Sequence, residues 1–156
     1  MHEMLIAEPA DLEMLAHSVL ADIATRERDS HGATVLALHG ELGAGKTSFV
    51  QYLARVLGVE EYVPSPTFVV MRRYPLSVHE RFSALVHMDA YRIGSLDELR
   101  PLDFTEILAD PGNLLCIEWA ERIQEALPAY TYHVTFTTDP AGGDVRRVVY
   151  GDSEEA

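Results

Sequence analysis

The sequence predicts a single α/β domain, in which a mixed, partly parallel central sheet lies between helices on both faces. Two observations support this fold class. An apolar strand over 33–38 leads through a glycine-rich loop into a helix that ends near Gly58, and a second apolar strand over 114–117 ends in Glu118. Buried strands that alternate with helices are typical of parallel sheets. The chain has 156 residues, an ordinary size for one domain.

Antiparallel strand pairs are expected at the margins of this sheet. Strands over 68–74 and 82–89 should pair across a loop. Strands over 132–137 and 145–150 should form a final hairpin around a Pro-Ala-Gly-Gly turn. We therefore assign residues 1–150 to the domain and expect the short acidic tail that follows, residues 151–156, to be frayed.

Two helices outside the glycine-rich loop are predicted from their first turns. Asp11 is the expected N-cap of a helix that follows a short strand over 4–7 and carries apolar residues at helical spacing: Leu12, Leu15, Ala16, Val19, Leu20 and Ile23. Ser95 and Glu98 match a capping box, which predicts a short helix that Pro101 interrupts.

Residues 40–47 read Gly-Glu-Leu-Gly-Ala-Gly-Lys-Thr, which is the spacing of a phosphate-binding P-loop. The glycines allow positive φ angles and bring backbone N–H groups close to phosphate oxygens. The helix that follows contributes the unpaired N–H groups of its first turn. We therefore predict that a nucleotide binds to a run of loop and helix residues: Gly43, Ala44, Gly45, Lys46, Thr47 and Ser48.

Two side chains of this loop have expected roles of their own. Lys46 is the only lysine among the 12 Lys and Arg residues, and its compact ammonium suits the β and γ phosphates. The hydroxyl of Thr47 is the P-loop ligand for Mg²⁺. An ordinary glycine-rich turn is the alternative interpretation, and the strand and helix on either side favour the P-loop.

Two carboxylates follow apolar strands, where the end of a strand presents its side chain to a ligand. Asp89 follows the run Leu85-Val86, and Glu118 follows the strand 114–117 in the manner of a Walker B acid. Spacing does not decide which acid holds a metal and which orients water. A turn carboxylate is the alternative for Asp89, and Glu121 is equally typical of a solvated charge at a helix start.

Two prolines stiffen the segment 62–68 and exclude a helix there. We interpret Thr67, near its end, as a switch residue that meets magnesium or the γ-phosphate. An ordinary turn at the entry of a strand is the alternative. His87 and Arg92 are weaker site candidates, because a lone His-x-Asp pair is a poor signal for a metal site and an arginine is often a surface residue.

The overall charge and the cysteine content limit the classes of partner. A formal net charge of -13 argues against a large basic surface for DNA or RNA, and against binding to an anionic membrane. Cys116 is the only cysteine, which excludes an intrachain disulfide and fits a reducing compartment. The first residues lack the basic start and apolar core of a signal peptide. We expect a cytoplasmic protein that meets RNA only through a partner.

Four motifs together resemble the bacterial TsaE family, also called YjeE. They are the glycine-rich loop at 40–47, Ser-Pro-Thr-Phe at 65–68, His-Met-Asp-Ala-Tyr-Arg at 87–92 and Glu-Trp-Ala-Glu at 118–121. Their order and intervals match over nearly the whole chain, and this is far more specific than a P-loop alone. One departure is Arg-Pro-Leu-Asp at 100–103, where relatives often carry a Leu-Gly pair; it affects a local turn and not the active site.

The resemblance implies a small ATPase with a P-loop NTPase-type, three-layer α/β/α fold and with ATP and Mg²⁺ as cofactors. In that family the protein works with TsaD and TsaB to form the threonylcarbamoyl modification of adenosine 37 in tRNAs that read codons beginning with A, and its ATP hydrolysis supports turnover by the partner complex. Carried over by position, the site residues are Lys46 for the phosphates, Thr47 and Glu118 for magnesium, Thr67 for the switch contact, Asp89 for catalysis or water positioning, and Asp11 near the adenine.

Two other function classes remain open on the residues alone. A P-loop kinase for a small metabolite should carry an arginine-bearing lid, whereas the candidate arginines lie in predicted strands: Arg72, Arg73, Arg146 and Arg147. A nucleotide-gated binding module would use ATP occupancy and not hydrolysis.

We expect slow hydrolysis by the isolated chain, because the sequence fixes no second cationic group near the loop. Arg92 is the one candidate for such a group.

Overall fold

The structure, a computed structural model, describes residues 1–26, 32–41, 43–64, 70–77, 79, 81–138 and 143–152. The strands are β1 (His2–Ile6), β2 (Thr34–His39), β3 (Met71–Pro75), β4 (Ala84–Asp89), β5 (Asn113–Glu118), β6 (Tyr132–Thr138) and β7 (Arg146–Asp152). The α-helices are α1 (Pro9–Ala24), α2 (Lys46–Val56) and α3 (Phe104–Ala109). Two 3₁₀ helices span Leu96–Leu102 and Ala120–Ala126. Over these residues, no helix combines the length and the apolar character needed to cross a bilayer.

All seven strands join one mixed sheet in the order β1-β7-β6-β2-β5-β4-β3. The four central strands, β6, β2, β5 and β4, are parallel to one another. The outer strands pair antiparallel, β3 with β4 on one side and β7 with β6 and then β1 on the other. The sequence predicted both antiparallel pairs and the partly parallel centre, and the structure confirms them.

The carboxyl ends of the central strands lie at one edge of the sheet. Leu38 in β2 and Asp89 in β4 both pair with Glu118 in β5, so the strand that leads into the glycine-rich loop ends beside the two strands that end in acids. Ile6 pairs with Arg146, which pairs with Thr138. The end of β1 therefore reaches the same edge.

Helices cover both faces of the sheet and give three layers. Helices α1 and α2 pack together on one face, over a core that includes Leu15, Phe49 and Leu114. The two 3₁₀ helices and α3 pack on the other face, over a second core that includes Val86 and Ile117. The α/β/α fold class predicted from the sequence is confirmed.

The predicted N-cap of α1 is wrong. Glu8 is the N-cap, Pro9 is the first helical residue, and Asp11 lies at the third helical position. The Asp11 Oδ2 atom accepts hydrogen bonds from the backbone N–H groups of Ala7 and Glu8, at 2.8 and 3.0 Å. Proline has no N–H and a fixed φ, so it is well suited to the first turn, and the helix starts three residues nearer to the N-terminus than predicted.

Two further details differ from the sequence prediction. The capping box at Ser95 does not form, because Glu98 accepts the N–H of Gly94 instead, and the segment that contains Pro101 is a 3₁₀ helix. Strand β7 runs through 151–152, which the sequence placed in the frayed tail, and its last residue pairs with Tyr132. Residues 153–156 lie outside the described part of the chain.

Candidate functional site

The glycine-rich loop between β2 and α2 has backbone φ angles that favour glycine. Gly40 and Gly45 have φ angles of 145° and 108°, in the region that side chains rarely adopt. Gly45 is the N-cap of α2 and offers no side-chain cap, so the first N–H groups of the helix remain available to an anionic ligand. Gly43 and Ala44 lie in the same loop, and Ser48 is exposed on the first turn of α2. Leu42 lies outside the described residues.

Lys46 lies at the mouth of this loop, where it is only 5% exposed. Its Nζ donates a hydrogen bond to the carbonyl oxygen of Gly40 and lies 4.2 Å from the centroid of the Trp119 ring. The ammonium is therefore held inside the loop and does not extend into solvent, which is the position from which it can reach a bound phosphate.

Trp119 packs against Lys46, and sequence reasoning missed this contact. Its backbone has a φ of 57°, and its indole packs between Lys46 and Tyr91, with a ring-centroid distance of 5.0 Å to the tyrosine. A left-handed conformation is uncommon for a bulky residue and is frequent at functional sites. Its position directly after Glu118 was the only signal available in the sequence.

Thr47 and Glu118 meet at the sheet edge. The Thr47 Oγ1 donates to Glu118 Oε1 at 2.7 Å, although the two residues are 71 positions apart in the chain. A hydroxyl and a carboxylate are hard oxygen ligands of the kind that Mg²⁺ prefers. In the part of the chain that the structure describes, no three His, Cys, Asp or Glu side chains form a cation cage. A magnesium ion held by this pair would take its other ligands from phosphate and water, as it commonly does.

Asp89 is the second acid at this edge. Its backbone pairs with Glu118 on the neighbouring strand, and its side chain is nearly buried. The Asp89 Oδ1 atom accepts the N–H of Tyr91 at 2.9 Å, and its own N–H donates to the carbonyl of Val70 at 2.7 Å. The structure thus places Asp89 and Glu118 side by side. Of these two predicted acids, Glu118 is the one that contacts Thr47.

A cavity of about 690 Å³ opens beside the loop on the side of β6. Its lining residues come from the loop, the end of β6 and the second 3₁₀ helix: Gly40, Glu41, Ala44, Trp119, Glu121, Thr135, Phe136, Thr137 and Thr138. This volume lies within the range of small-molecule sites, which is about 300 to 1,000 Å³. A ligand whose phosphates lie on the glycine-rich loop would have room for its organic part here.

The predicted contacts of two further site residues, Asp11 and Thr67, stay predictions. Asp11 lies at the same sheet edge, where its carboxylate accepts the N–H groups of Ala7 and Glu8, and it is not among the residues that line the cavity. Thr67 lies outside the described residues, so its predicted switch contact stays a prediction. Glu121 is about half exposed, with its carboxylate 3.5 Å from the Nδ1 of His39.

A pair of histidines lies under the loop on the same face as Glu121. His39 is the last residue of β2, and its Nε2 lies 2.8 Å from the Nδ1 of His133 in β6. Burial, and secondarily the nearby His39, lower the pKa of His133 below its usual value of 6.5. The pair therefore favours neutral imidazole at His133.

Comparison with known proteins gives consistent results over most of the chain. A sequence model of the family described as threonylcarbamoyl adenosine biosynthesis protein TsaE matches residues 7–148. The tRNA threonylcarbamoyladenosine biosynthesis protein TsaE of Treponema pallidum is 40% identical over 102 residues, which are 65% of this chain and 71% of that protein. The protein of the same name from Bacillus subtilis is 37% identical over 116 residues, 74% of this chain and 68% of that protein.

A solved structure shares the fold. The crystal structure of YdiB from Bacillus subtilis superimposes with a TM-score of 0.69 at 28% sequence identity, covering 96% of this chain and 83% of that one. The match of the family model over nearly the full length, the identity to these relatives and the shared fold agree with the four sequence motifs. The chain therefore belongs to the threonylcarbamoyl adenosine biosynthesis protein TsaE family.

Proposed function

We propose that this chain is a magnesium-dependent ATPase that supports the threonylcarbamoyl modification of tRNA adenosine 37 together with TsaD and TsaB. The observation that carries the proposal is the convergence of Lys46, Thr47 and Glu118 on a glycine-rich loop whose helix N-terminus has no side-chain cap. Membership of the TsaE family supports the pathway, since the relatives are named for the biosynthesis of this nucleoside.

The loop and the adjacent cavity together suit a nucleoside triphosphate. Backbone N–H groups at the start of α2 and the Lys46 ammonium supply positive potential for phosphate oxygens. The cavity beside Ala44 and Phe136 takes the nucleoside. Because both subsites share Gly40 and Ala44, one ligand can occupy them at once.

In the proposed mechanism the chain binds and orients and forms no covalent intermediate. Thr47 and Glu118 would hold Mg²⁺, which would neutralise charge on the transferred phosphoryl group. Lys46 binds the β and γ phosphates. Asp89 orients the attacking water, which forms a bond to the γ-phosphorus while the bond to the β–γ bridging oxygen breaks, giving ADP and phosphate. We assign the metal to Glu118 because it is the acid in contact with the P-loop hydroxyl.

The kinase alternative has less support. A lid should present arginines from a loop, whereas Arg72 and Arg73 lie in β3 and Arg146 and Arg147 lie in β7. The Nη2 of Arg147 is 2.7 Å from the carboxylate of Glu3 on the neighbouring strand. These side chains therefore extend from strands of the sheet and not from a loop.

The test is nucleotide-dependent assembly. Purified TsaB and TsaD are mixed with this chain and passed over a size-exclusion column with ATP, with ADP and without nucleotide. We expect co-elution that depends on ATP, loss of that dependence in Lys46→Ala, and no change in Glu13→Gln, an exposed position on α1 that serves as the control. Absence of co-elution over a range of salt concentrations would contradict the proposed partners.

A second measurement separates hydrolysis from occupancy. Phosphate release by the assembled complex should fall in Glu118→Gln, and threonylcarbamoyl-tRNA formation should fall with it over repeated turnovers. If tRNA modification continues undiminished while phosphate release is lost, the chain acts as a nucleotide-gated binding module and the proposed ATPase role is wrong.

A further inference from the structure

His87 is a buried imidazole directly behind Glu118. It is 0% exposed, on β4 beside β5, and its Nε2 lies 2.6 Å from Glu118 Oε2. The other oxygen of the same carboxylate accepts the hydroxyl of Thr47. Side chains from β4, β5 and α2 thus form one continuous hydrogen-bonded chain that ends at the P-loop.

The direction of this hydrogen bond follows from the chemistry of the two groups. An ionised carboxylate only accepts hydrogen bonds, so the Nε2 of His87 is the donor. The Nδ1 atom of His87 is buried and has no hydrogen-bond partner among the described residues. Burial of an unpaired polar atom is costly, and an apolar side chain would fill the same space without that cost. The hydrogen bond from Nε2 to Glu118 is therefore what a histidine supplies at this position and an apolar side chain cannot.

We propose that His87 is a positioning residue for the magnesium site, a role that rests on the proposed function of Glu118 as a metal ligand. The Nε2–H fixes the plane of the Glu118 carboxylate through Oε2. This leaves Oε1 directed towards Thr47, the side on which the phosphates and the metal would bind. His87 itself touches neither nucleotide nor metal.

A positioning role and a purely structural role for His87 predict different effects of its substitution. A histidine that only fills the space between β4 and β5 would affect the stability of the fold. A histidine that orients Glu118 should affect the affinity for metal more than the affinity for nucleotide alone. Partners that orient a metal ligand typically contribute about 10- to 100-fold in metal affinity.

The experiment compares four forms of the full chain: wild type, His87→Phe, His87→Gln and Asn113→Ala. Phenylalanine keeps the ring but has no donor, whereas glutamine can place its amide N–H close to the position of Nε2. Asn113 is the matched control, because it is a buried polar residue at the opposite end of β5 whose amide donates to the carbonyl of Ile107 at 3.1 Å. The readouts are the Kd for ADP in excess Mg²⁺, the Kd for ADP in EDTA, the Mn²⁺ affinity of the ADP complex by electron paramagnetic resonance, and the thermal midpoint.

The expected result is a loss of about 10- to 100-fold in Mn²⁺ affinity for His87→Phe, with the Kd in EDTA within about two-fold of wild type. His87→Gln should recover most of the loss. Asn113→Ala should lower the thermal midpoint and leave the metal affinity unchanged. Should His87→Phe fail to fold, His87→Asn, whose amide is too short to reach Glu118, takes its place.

Two outcomes would contradict the positioning role of His87, and a third would contradict the nucleotide site. Metal affinity that is unchanged in His87→Phe would overturn the positioning role. An equal loss of affinity in EDTA and in Mg²⁺ would also overturn it, because the defect would then lie in the fold or in the phosphate loop. Failure of the wild type to bind ADP under either condition would instead overturn the proposed nucleotide site.

Discussion

The indole of Trp119 lies against the ammonium of Lys46, with Nζ 4.2 Å from the ring centroid. A cation over the face of a tryptophan is stabilised by about 0.5 to 2 kcal/mol, depending on how far it is removed from water. Lys46 also donates to Gly40, so its charge is shared between the loop and the aromatic ring. A phosphate that draws this charge towards itself must change the surroundings of the chain's only tryptophan.

We therefore predict that Mg²⁺ and ATP change the intrinsic fluorescence of Trp119 in a saturable way. Lys46→Ala should alter the emission of the nucleotide-free protein, because the cation next to the ring is lost, and should abolish the saturable change. The measurement is a fluorescence titration at a fixed protein concentration. A full titration that persists in Lys46→Ala would show that the ring senses the nucleotide by another route.

The backbone conformation of Gly40 in the glycine-rich loop predicts how a substitution there changes the free energy of unfolding. A Cβ atom at this position would lie 2.8 Å from the carbonyl oxygen of Phe136, and the φ of 145° is unfavourable for alanine. We expect Gly40→Ala to lower the free energy of unfolding by about 1 to 3 kcal/mol, the typical cost of a strained backbone. Urea unfolding checks this value.

Gly94→Ala is the matched control for that experiment. Its φ is not in the left-handed range, and the nearest atom to a Cβ would be Glu98 Oε1 at 3.6 Å, an ordinary contact. The change should stay within about 0.5 kcal/mol, as for most surface substitutions. Equal losses in the two variants would mean that glycine content, and not the conformation of Gly40, limits stability.

The His39–His133 pair predicts a dependence of stability on pH. Burial and His39 lower the folded-state pKa of His133 below its unfolded value, so the unfolded chain binds the proton first as the pH falls. The contribution of His133 is fully present above about pH 6.5, the usual histidine value, and is lost as the pH falls below it. We expect His133→Gln to reduce the difference in unfolding free energy between pH values of about 7.5 and 5.

The control for this pH measurement is His17→Gln, since His17 is an exposed histidine on α1. Urea unfolding at both pH values, compared between variants, separates His133 from the other titrating groups. A difference between the two pH values that is as large in His133→Gln as in wild type would contradict the prediction.

The sequence predicted the parts of this site that depend on local patterns. The strand, glycine-rich loop and helix around Lys46 follow from spacing within about 25 residues, and the acid at the end of β5 follows from an apolar run. The hydrogen bond from Thr47 to Glu118 does not, because it requires β2 and β5 to be neighbours, and strand order is a property of the whole sheet.

Two other features were beyond pattern reasoning for a physical reason. The φ of 57° at Trp119 occurs together with the packing of its ring between Lys46 and Tyr91, a tertiary arrangement that no propensity indicates. Asp11 is of a residue type that is favoured at the N-cap, but Pro9 is the first helical residue and the N-cap is Glu8. In both cases a tertiary or neighbouring constraint overrode the preference of the single residue.

The contact of Glu118 with Thr47 leads to different predictions for the two acids. Glu118→Gln should weaken binding of Mg²⁺ and ATP and leave the affinity for ADP in EDTA nearly unchanged, because a neutral amide is a poor magnesium ligand. Asp89→Asn should instead lower kcat by about 10²- to 10⁴-fold, the usual contribution of a group that activates water. Its side-chain oxygen still accepts the N–H of Tyr91, so the fold should be preserved.

The two roles are separated by single-turnover hydrolysis at a series of Mg²⁺ concentrations, with binding measured by calorimetry on the same samples. Extra magnesium should restore part of the rate of Glu118→Gln and none of the rate of Asp89→Asn, because only the first defect lies in metal affinity. The reverse pattern would assign the metal to Asp89 and the water to Glu118. Since β4 and β5 present the two side chains at paired positions, such an exchange of roles would need no change in the fold, only a metal that lies nearer to β4 than to Thr47.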